Sequence, residues 1–252
     1  MKPIALQLYT VRDDAKQGLP AVLRKVAEIG YAGVEFAGLH DHPPAEIRKV
    51  LDDHQLVAAS MHVPLPTAET MNETVETAQA LGSRHVVVPH IPAEDFATAD
   101  AVARTAASLE GAAERLAGHG LTLGYHNHRH EMIDVEGKLA LDRLYEAAPN
   151  VAPQIDVYWA SNWGQVDAAA LVARWAHRLR LLHAKDGPLV EGKPHTAVGA
   201  GKMDIPAIVA ATNEAVLEWV IVEMDTCAGD VWQAVADSYT YLTGHDLARG
   251  RS

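Results

Sequence analysis

Apolar residues along this chain alternate between two rhythms, short unbroken runs and longer stretches in which they recur at helical spacing. Ile4-Ala5-Leu6-Gln7-Leu8-Tyr9 reads as a strand, and residues 18–29 then set Leu19, Val22, Leu23, Val26 and Ala27 on one helical face before Gly30 stops the helix. Ala32 to Ala37 is a second strand, and Pro43-Pro44 opens a helix carrying Ile47, Val50 and Leu51. Leu56 to His62 is the third strand, before a helix with Met71, Val75, Ala78 and Leu81 that Gly82 ends. His85 to His90 is the fourth, followed by a helix from about 98 to 117. Leu121-Thr122-Leu123-Gly124 starts the fifth, with Leu139, Leu141 and Leu144 in the helical segment behind it. Pro153 to Val157 is the sixth, and its helix buries Leu171, Val172, Trp175 and Ala176. Leu179 to Asp186 is the seventh, and a loop through Gly187, Gly192, Gly199 and Gly201 leads to a helix at 205–214 with Asp204 as N-cap and Pro206 in its first turn. Trp219 to Glu223 is the eighth, its helix sets Val231, Ala234, Val235, Ser238, Tyr239 and Leu242 on one face, and residues 245–252 read as a frayed tail.

Eight strand–helix alternations without a linker predict one α/β domain, a single (β/α)8 TIM barrel over residues 1–244. An open doubly wound sheet would carry a phosphate-binding G-x-G-x-x-G after its first strand, and Tyr9-Thr10-Val11-Arg12 has none.

Composition narrows the partners. With 252 residues, 48% of them hydrophobic and 21% charged, the chain can bury a large core. A net charge of -12 argues against binding nucleic acid or an anionic membrane, both of which require clustered Lys and Arg. Cys227 is the single cysteine, which excludes an intramolecular disulfide and a cysteine-based zinc knuckle. No run approaches the ~20 apolar residues of a membrane span, and Met1-Lys2-Pro3 leads into a strand rather than a signal-peptide segment. A cytoplasmic protein with a small-molecule partner is expected, with homo-oligomerisation left open.

In such a barrel the catalytic groups come from the C-terminal ends of the strands. Those ends read Gln7 and Tyr9, Glu35, His62, His90, the run Tyr125-His126-Asn127-His128-Arg129-His130-Glu131-Met132, Asp156, His183 with Lys185, and Glu223. Taken singly, Glu35 or His90 is most simply a rim residue, Trp159 and Trp163 suit packing as well as a substrate wall, and the glycines of 187–201 suit turns as well as a mobile lid. Asp156 and Glu223 differ, because a carboxylate inside an apolar strand is costly unless a metal or cation neutralises it. Asp156, His183 and Glu223 lie on the sixth, seventh and eighth strands, and a fourth ligand from the fifth would complete a divalent site suited to Mn²⁺, Co²⁺, Mg²⁺ or Zn²⁺. Glu131, His126 and His128 compete for that place. His126 and His128 share a face by the period of two, whereas Glu131 lies beyond the strand and must fold back over the mouth.

The chain resembles the xylose isomerase-like TIM-barrel superfamily, specifically its sugar phosphate isomerase/epimerase branch. The matching pieces are Tyr125-His126-Asn127-His128 with Glu131, Gln154-Ile155-Asp156, Leu182-His183-Ala184-Lys185-Asp186, Gly199-Ala200-Gly201 with Asp204, and Ile221-Val222-Glu223. Gln7-Leu8-Tyr9, Gly33-Val34-Glu35 and Met61-His62 match more loosely, and Gly199-Ala200-Gly201 departs from the commoner Gly-Glu-Gly. The resemblance implies one divalent metal, held by Glu131, Asp156, His183 and Glu223. In the ketose 3-epimerases of the superfamily the strand-five and strand-eight glutamates also exchange the substrate proton. That gives catalytic roles to Glu131 and Glu223, with His126 standing at the strand-five position in register. Gln7, Tyr9, Glu35, His62, His128 and Lys185 are then candidates to hold substrate. The expected function is a divalent-metal-dependent isomerase or epimerase of a small polyhydroxylated carbonyl compound, acting through an enediolate. A lyase or dehydratase acting on a keto-sugar, inosose or keto-glycoside is the alternative. An endonuclease IV-like DNA-repair enzyme and a non-catalytic sugar-binding barrel fit less well.

Overall fold

The computed structural model describes residues 1–251. Its barrel strands are β1 (Ile4–Gln7), β2 (Gly33–Phe36), β3 (Val57–His62), β4 (His85–Val88), β5 (Thr122–His126), β8 (Ala152–Asp156), β9 (Leu181–Ala184) and β10 (Trp219–Val222). All are parallel and follow one another in chain order around a closed barrel, with β10 returning to β1 so that Ile4 lies opposite Val220 and Leu6 opposite Val222. The predicted (β/α)8 architecture is therefore the observed one. Helices α1 (Arg12–Ile29), α2 (Pro44–Asp53), α3 (Met71–Leu81), α4 (Ala99–Ala117), α5 (Ala140–Ala147), α6 (Val157–Ala160), α7 (Ala168–Trp175), α8 (Ile205–Ala210) and α9 (Val231–Gly244) join them. No helix among the described residues is long and apolar enough to cross a membrane.

Side chains alternate between two faces of a strand, and here each face has its own task. Outward-facing Leu6, Val34, Phe36, Val86, Leu123, Tyr125, Ile155 and Val222 join the helices in the main core. Inside the barrel, Ala5, Ala59, Val87, Leu181 and Ile221 form a small apolar layer with Trp219 packed against it. Gly33 makes room for that indole, since a Cβ there would lie 2.6 Å from Val57 O and 2.9 Å from the Trp219 ring. Two residues further along the same faces come Gln7 after Ala5, His183 after Leu181 and Glu223 after Ile221. The period of two thus lifts a polar layer above an apolar one.

Three elements differ from the sequence reading. Helix α1 starts at Arg12 rather than near 18 and is kinked at Gly18, with Pro20 opening the second segment. A hairpin of β6 (Asp134–Val135) and β7 (Lys138–Leu139) precedes α5, turning on Glu136 at φ 51° and Gly137 at φ 81°. Residues 245–251, expected to fray, are instead tied to the barrel. Ile4 N donates to Arg249 O at 2.9 Å, Arg249 N to Lys2 O at 2.8 Å and Arg251 N to Gly30 O at 2.8 Å, while Ala248 is buried.

The glycine-rich loop after β9 is pinned by the buried Asp186 carboxylate. It accepts backbone N–H bonds from Gly187 at 2.7 Å, Gly199 at 2.9 Å, Gly201 at 3.1 Å and Met203 at 3.0 Å. A Cβ at Gly201 would sit 2.0 Å from Asp186 Oδ1 and 2.4 Å from Gly187 N. Gly201→Ala is therefore expected to cost about 1–3 kcal/mol, the usual toll of overpacking, in urea unfolding. Unchanged stability would show that Asp186 does not hold the loop.

Candidate functional site

At the C-terminal mouth of the barrel a cavity of about 740 Å³ is lined by residues that include Tyr9, His62, His126, His128, Trp159 and Glu223. Beneath it, one ligand atom each from His126, Asp156, His183 and Glu223 lies within 4.8 Å of the others, and all four residues are buried. They come from β5, β8, β9 and the residue after β10, four neighbours in the ring.

Backbone geometry sets each one. Asp156 closes β8 and caps α6: its Oδ1 accepts from Trp159 N at 2.9 Å, and its own N–H donates to Asn127 Oδ1 at 3.1 Å. Its Oδ2 is buried and ion-paired with Lys185 Nζ at 2.8 Å, with His126 Nε2 at 3.9 Å. His183 lies between two carboxylates, Nδ1 at 3.0 Å from Glu223 Oε2 and Nε2 at 2.7 Å from Glu35 Oε1. His126 Nδ1 is 3.0 Å from Gln154 Oε1.

Lys185 is fully buried, a state an ammonium tolerates only among anions. Its Nζ lies 2.8 Å from Asp156 Oδ2, 2.9 Å from Glu223 Oε2 and 2.9 Å from Asp225 Oδ2. Burial would lower its pKa, but Asp156, Glu223 and Asp225 outweigh that and hold it well above the usual lysine value. Burial alone would raise the Glu223 carboxyl; Lys185 and then His183 instead hold it well below the ordinary range. For His183 burial is likewise overcome by Glu35 and Glu223, and its pKa rises to about 10. His126 goes the other way, pushed well down by burial and by neighbouring His183.

Of the expected ligands, Asp156, His183 and Glu223 come together, but Glu131 does not join them. Tyr125 and His126 point to opposite faces of β5, and Glu131 goes with Tyr125: its Oε1 accepts from Tyr125 Oη at 2.5 Å and its Oε2 from His128 N at 2.9 Å. Burial in that setting pushes its carboxyl up to about 7. The strand-five place beside the other three belongs to His126.

The remaining candidates divide by depth. Tyr9, His62 and His128 line the mouth. His128 is half-buried with Nδ1 unpartnered, and burial followed by Lys185 lowers its pKa to about 4. Gln7 and Glu35 lie below the cavity, hydrogen-bonded to each other at 2.6 Å. Gln154 and Asp225 contact His126 and Lys185, and the sequence reading gave neither of them a role. Each stands two residues from a chosen carboxylate, Asp156 or Glu223, so the strand period was the available signal.

A buried donor set of two imidazoles and two carboxylates fits a divalent transition metal.

The structure is similar to that of a sugar phosphate isomerase/epimerase from Parabacteroides distasonis ATCC 8503, at 22% identity and TM-score 0.79, covering 99% of this chain and 96% of that one. It is also similar to an L-ribulose 3-epimerase, at 18% identity and TM-score 0.75 over 98% and 95% of the two chains. A third similar structure is the IOLI protein with a bound zinc atom, at 14% identity and TM-score 0.73 over 97% of each chain. These identities speak to the fold alone. Among curated proteins no sequence matches. The profile of one family matches residues 23–236, most of the length of the chain, and by that match the protein belongs to the xylose isomerase-like TIM barrel family.

Proposed function

We propose that the protein is a divalent-metal-dependent isomerase or epimerase of a small, sugar-like polyhydroxylated carbonyl compound, working through an enediolate. The observation that carries this reading is the convergence of His126, Asp156, His183 and Glu223, all buried, under an open mouth. Two imidazoles among four donors favour Mn²⁺, Co²⁺ or Zn²⁺ over the oxygen-seeking Mg²⁺. A cation held there would supply Lewis-acid polarisation of the substrate carbonyl and its neighbouring hydroxyl.

The protein's own groups supply the rest. Glu223 is ionised at neutral pH and has Oε2 engaged by His183 and Lys185, which leaves Oε1 to take the proton from the carbon beside the carbonyl. Lys185 keeps its ammonium against that carboxylate and balances it while it is charged. His128, neutral at pH 7 with a free Nδ1, is suited to accept a hydrogen bond from a substrate hydroxyl, and His62 lines the same wall. Because the strand-five place holds the weakly basic His126 rather than a second glutamate, proton return by Glu223 on the same face is favoured, which suits isomerisation better than inversion of one centre. Loss of a β substituent from the same enediolate would give the lyase outcome instead.

Product analysis of the metal-loaded protein with aldoses, ketoses, inososes and 3-keto-glycosides in deuterated water tests this. Deuterium is expected at the carbon next to the carbonyl in product or recovered substrate, together with partial carry-over of the original proton if one base serves both steps. Glu223→Gln is expected to suppress the wash-in per metal-loaded chain, with occupancy measured alongside because Glu223 is also one of the four donors. Conversion with no deuterium in either pool after long incubation would replace the enediolate with a hydride shift.

A further inference from the structure

Glu35 was a candidate for substrate binding, but its surroundings assign it other work. Its Oε1 lies 2.6 Å from Gln7 Nε2, 2.7 Å from His183 Nε2 and 3.0 Å from His62 Nε2. Its Oε2 accepts from Gln154 Nε2 at 2.6 Å and from Ser60 Oγ. A carboxylate has about four lone-pair sites, and hydrogen bonds from Gln7, His183, Gln154 and Ser60, with His62 close against Oε1, leave none for a ligand. Glu35 is fully buried and does not line the mouth cavity.

The donors around it determine one another. Gln7 Oε1 accepts from Tyr9 N at 3.0 Å, which turns Gln7 Nε2 toward Glu35 and toward His62 Nδ1 at 3.2 Å. His62 Nδ1 is therefore an acceptor, and its proton sits on Nε2, 2.8 Å from Gln154 Oε1. With Gln154 Nε2 committed to Glu35, its Oε1 also accepts from His126 Nδ1 at 3.0 Å. That places the His126 proton on Nδ1 and leaves Nε2 as the lone pair on the Asp156 side. At His183 the Nε2–H is held by Glu35, so Nδ1, which carries its proton toward Glu223 in the metal-free protein, is the nitrogen a cation would deprotonate and bind.

We propose that Glu35 is a positioning residue: one buried carboxylate, acting directly on His183 and through the Gln154 amide on His126, selects the nitrogen that each imidazole presents to the cation. The statement about the cation rests on the metal centre proposed above; the statement about His126 does not. Outer hydrogen-bond partners of metal-bound histidines typically contribute 10–100-fold in affinity.

The test uses Zn²⁺ titration and long-range ¹H–¹⁵N imidazole spectra of the whole protein. The metal-free wild type should show His126 as one tautomer, protonated at Nδ1. In Glu35→Gln the new amide cannot accept from both Gln154 and His183, so Zn²⁺ affinity is expected to fall about 10–100-fold. Gln154→Met should scramble the His126 tautomer and leave that of Zn²⁺-bound His183 intact. In that background, Glu35→Gln should weaken Zn²⁺ binding by a smaller factor than it does alone, because the arm to His126 is already cut. Gln154→Met keeps the inference testable if Glu35→Gln does not fold. A wild type that binds no Zn²⁺ but shows the single His126 tautomer would remove the metal centre and uphold the selection of that nitrogen. Unaltered His126 spectra in Gln154→Met, or Zn²⁺ affinity in Glu35→Gln within twofold of wild type, would overturn the proposal.

Discussion

Asp156→Ala is expected to abolish divalent-metal binding and to lower turnover by roughly 10³-fold, the scale on which loss of charge stabilisation at a reacting centre acts. Asp156 is fully buried, with Oδ2 2.8 Å from Lys185 Nζ and 3.9 Å from His126 Nε2, and its loss removes one of only two carboxylates in the four-residue donor set. The fold should survive the change. Lys185 keeps two anionic neighbours, Glu223 and Asp225, each at 2.9 Å, and removing a third carboxylate eases crowding of like charge. Thermal melting separates these effects. Wild-type protein with Mn²⁺ or Zn²⁺ at 100 times its Kd should gain about 2.7 kcal/mol, or about 5–10 °C in Tm for a chain of this size. Asp156→Ala should melt at one temperature with or without metal. Full metal occupancy in the variant, by elemental analysis, would remove this cluster as the centre.

The second large effect concerns Glu131 and is one of stability. Its carboxyl is pushed by burial to about 7, above the 4.5 of an unfolded chain. The folded state therefore holds a proton that the unfolded state has released, and stability present below pH 4.5 is lost as the pH rises through 7. Integrated over that window the loss is about 3 kcal/mol. Glu131→Gln keeps an oxygen for the His128 N–H and an amide that can donate to Tyr125 Oη, with no charge to bury. Urea unfolding should find variant and wild type alike at pH 4.5 and the variant more stable by up to about 3 kcal/mol at pH 8. A difference independent of pH would mean that Glu131 is not held neutral. Metal content should be untouched, whereas in a site built on Glu131 it would be lost.

What could be read ahead of the structure followed the strand period. The barrel and its mouth come from eight apolar runs that each end in a polar residue, and ring closure on neighbouring strands was enough to assemble Asp156, His183 and Glu223. The same period places His126 inside and Tyr125 outside, but Glu131 lies past the strand, where only tertiary packing decides which way the chain folds. Lys185 is legible as a buried cation only once Asp225, two residues after Glu223, is seen to share its face. Gln154 carries no charge and so gave little chemical signal, although its inward position was implied by that of Asp156. The tail was misread because it docks through backbone groups at Lys2, Ile4 and Gly30, which leave no mark in a pattern of side chains.

That docking makes the chain close to cyclic. Strands β1 and β10 hydrogen-bond along the barrel seam, and residues 2 and 249 are themselves backbone partners. In the closed ring every barrel strand has two strand neighbours, so none is structurally first. A short linker could join residues 251 and 2, and new ends could be opened at the exposed Glu136-Gly137 turn without breaking a barrel hydrogen bond. So rearranged, the chain would begin with the strands that lead to Asp156, His183 and Glu223 and end with the one that carries His126, so the four clustered residues would enter folding in a new order.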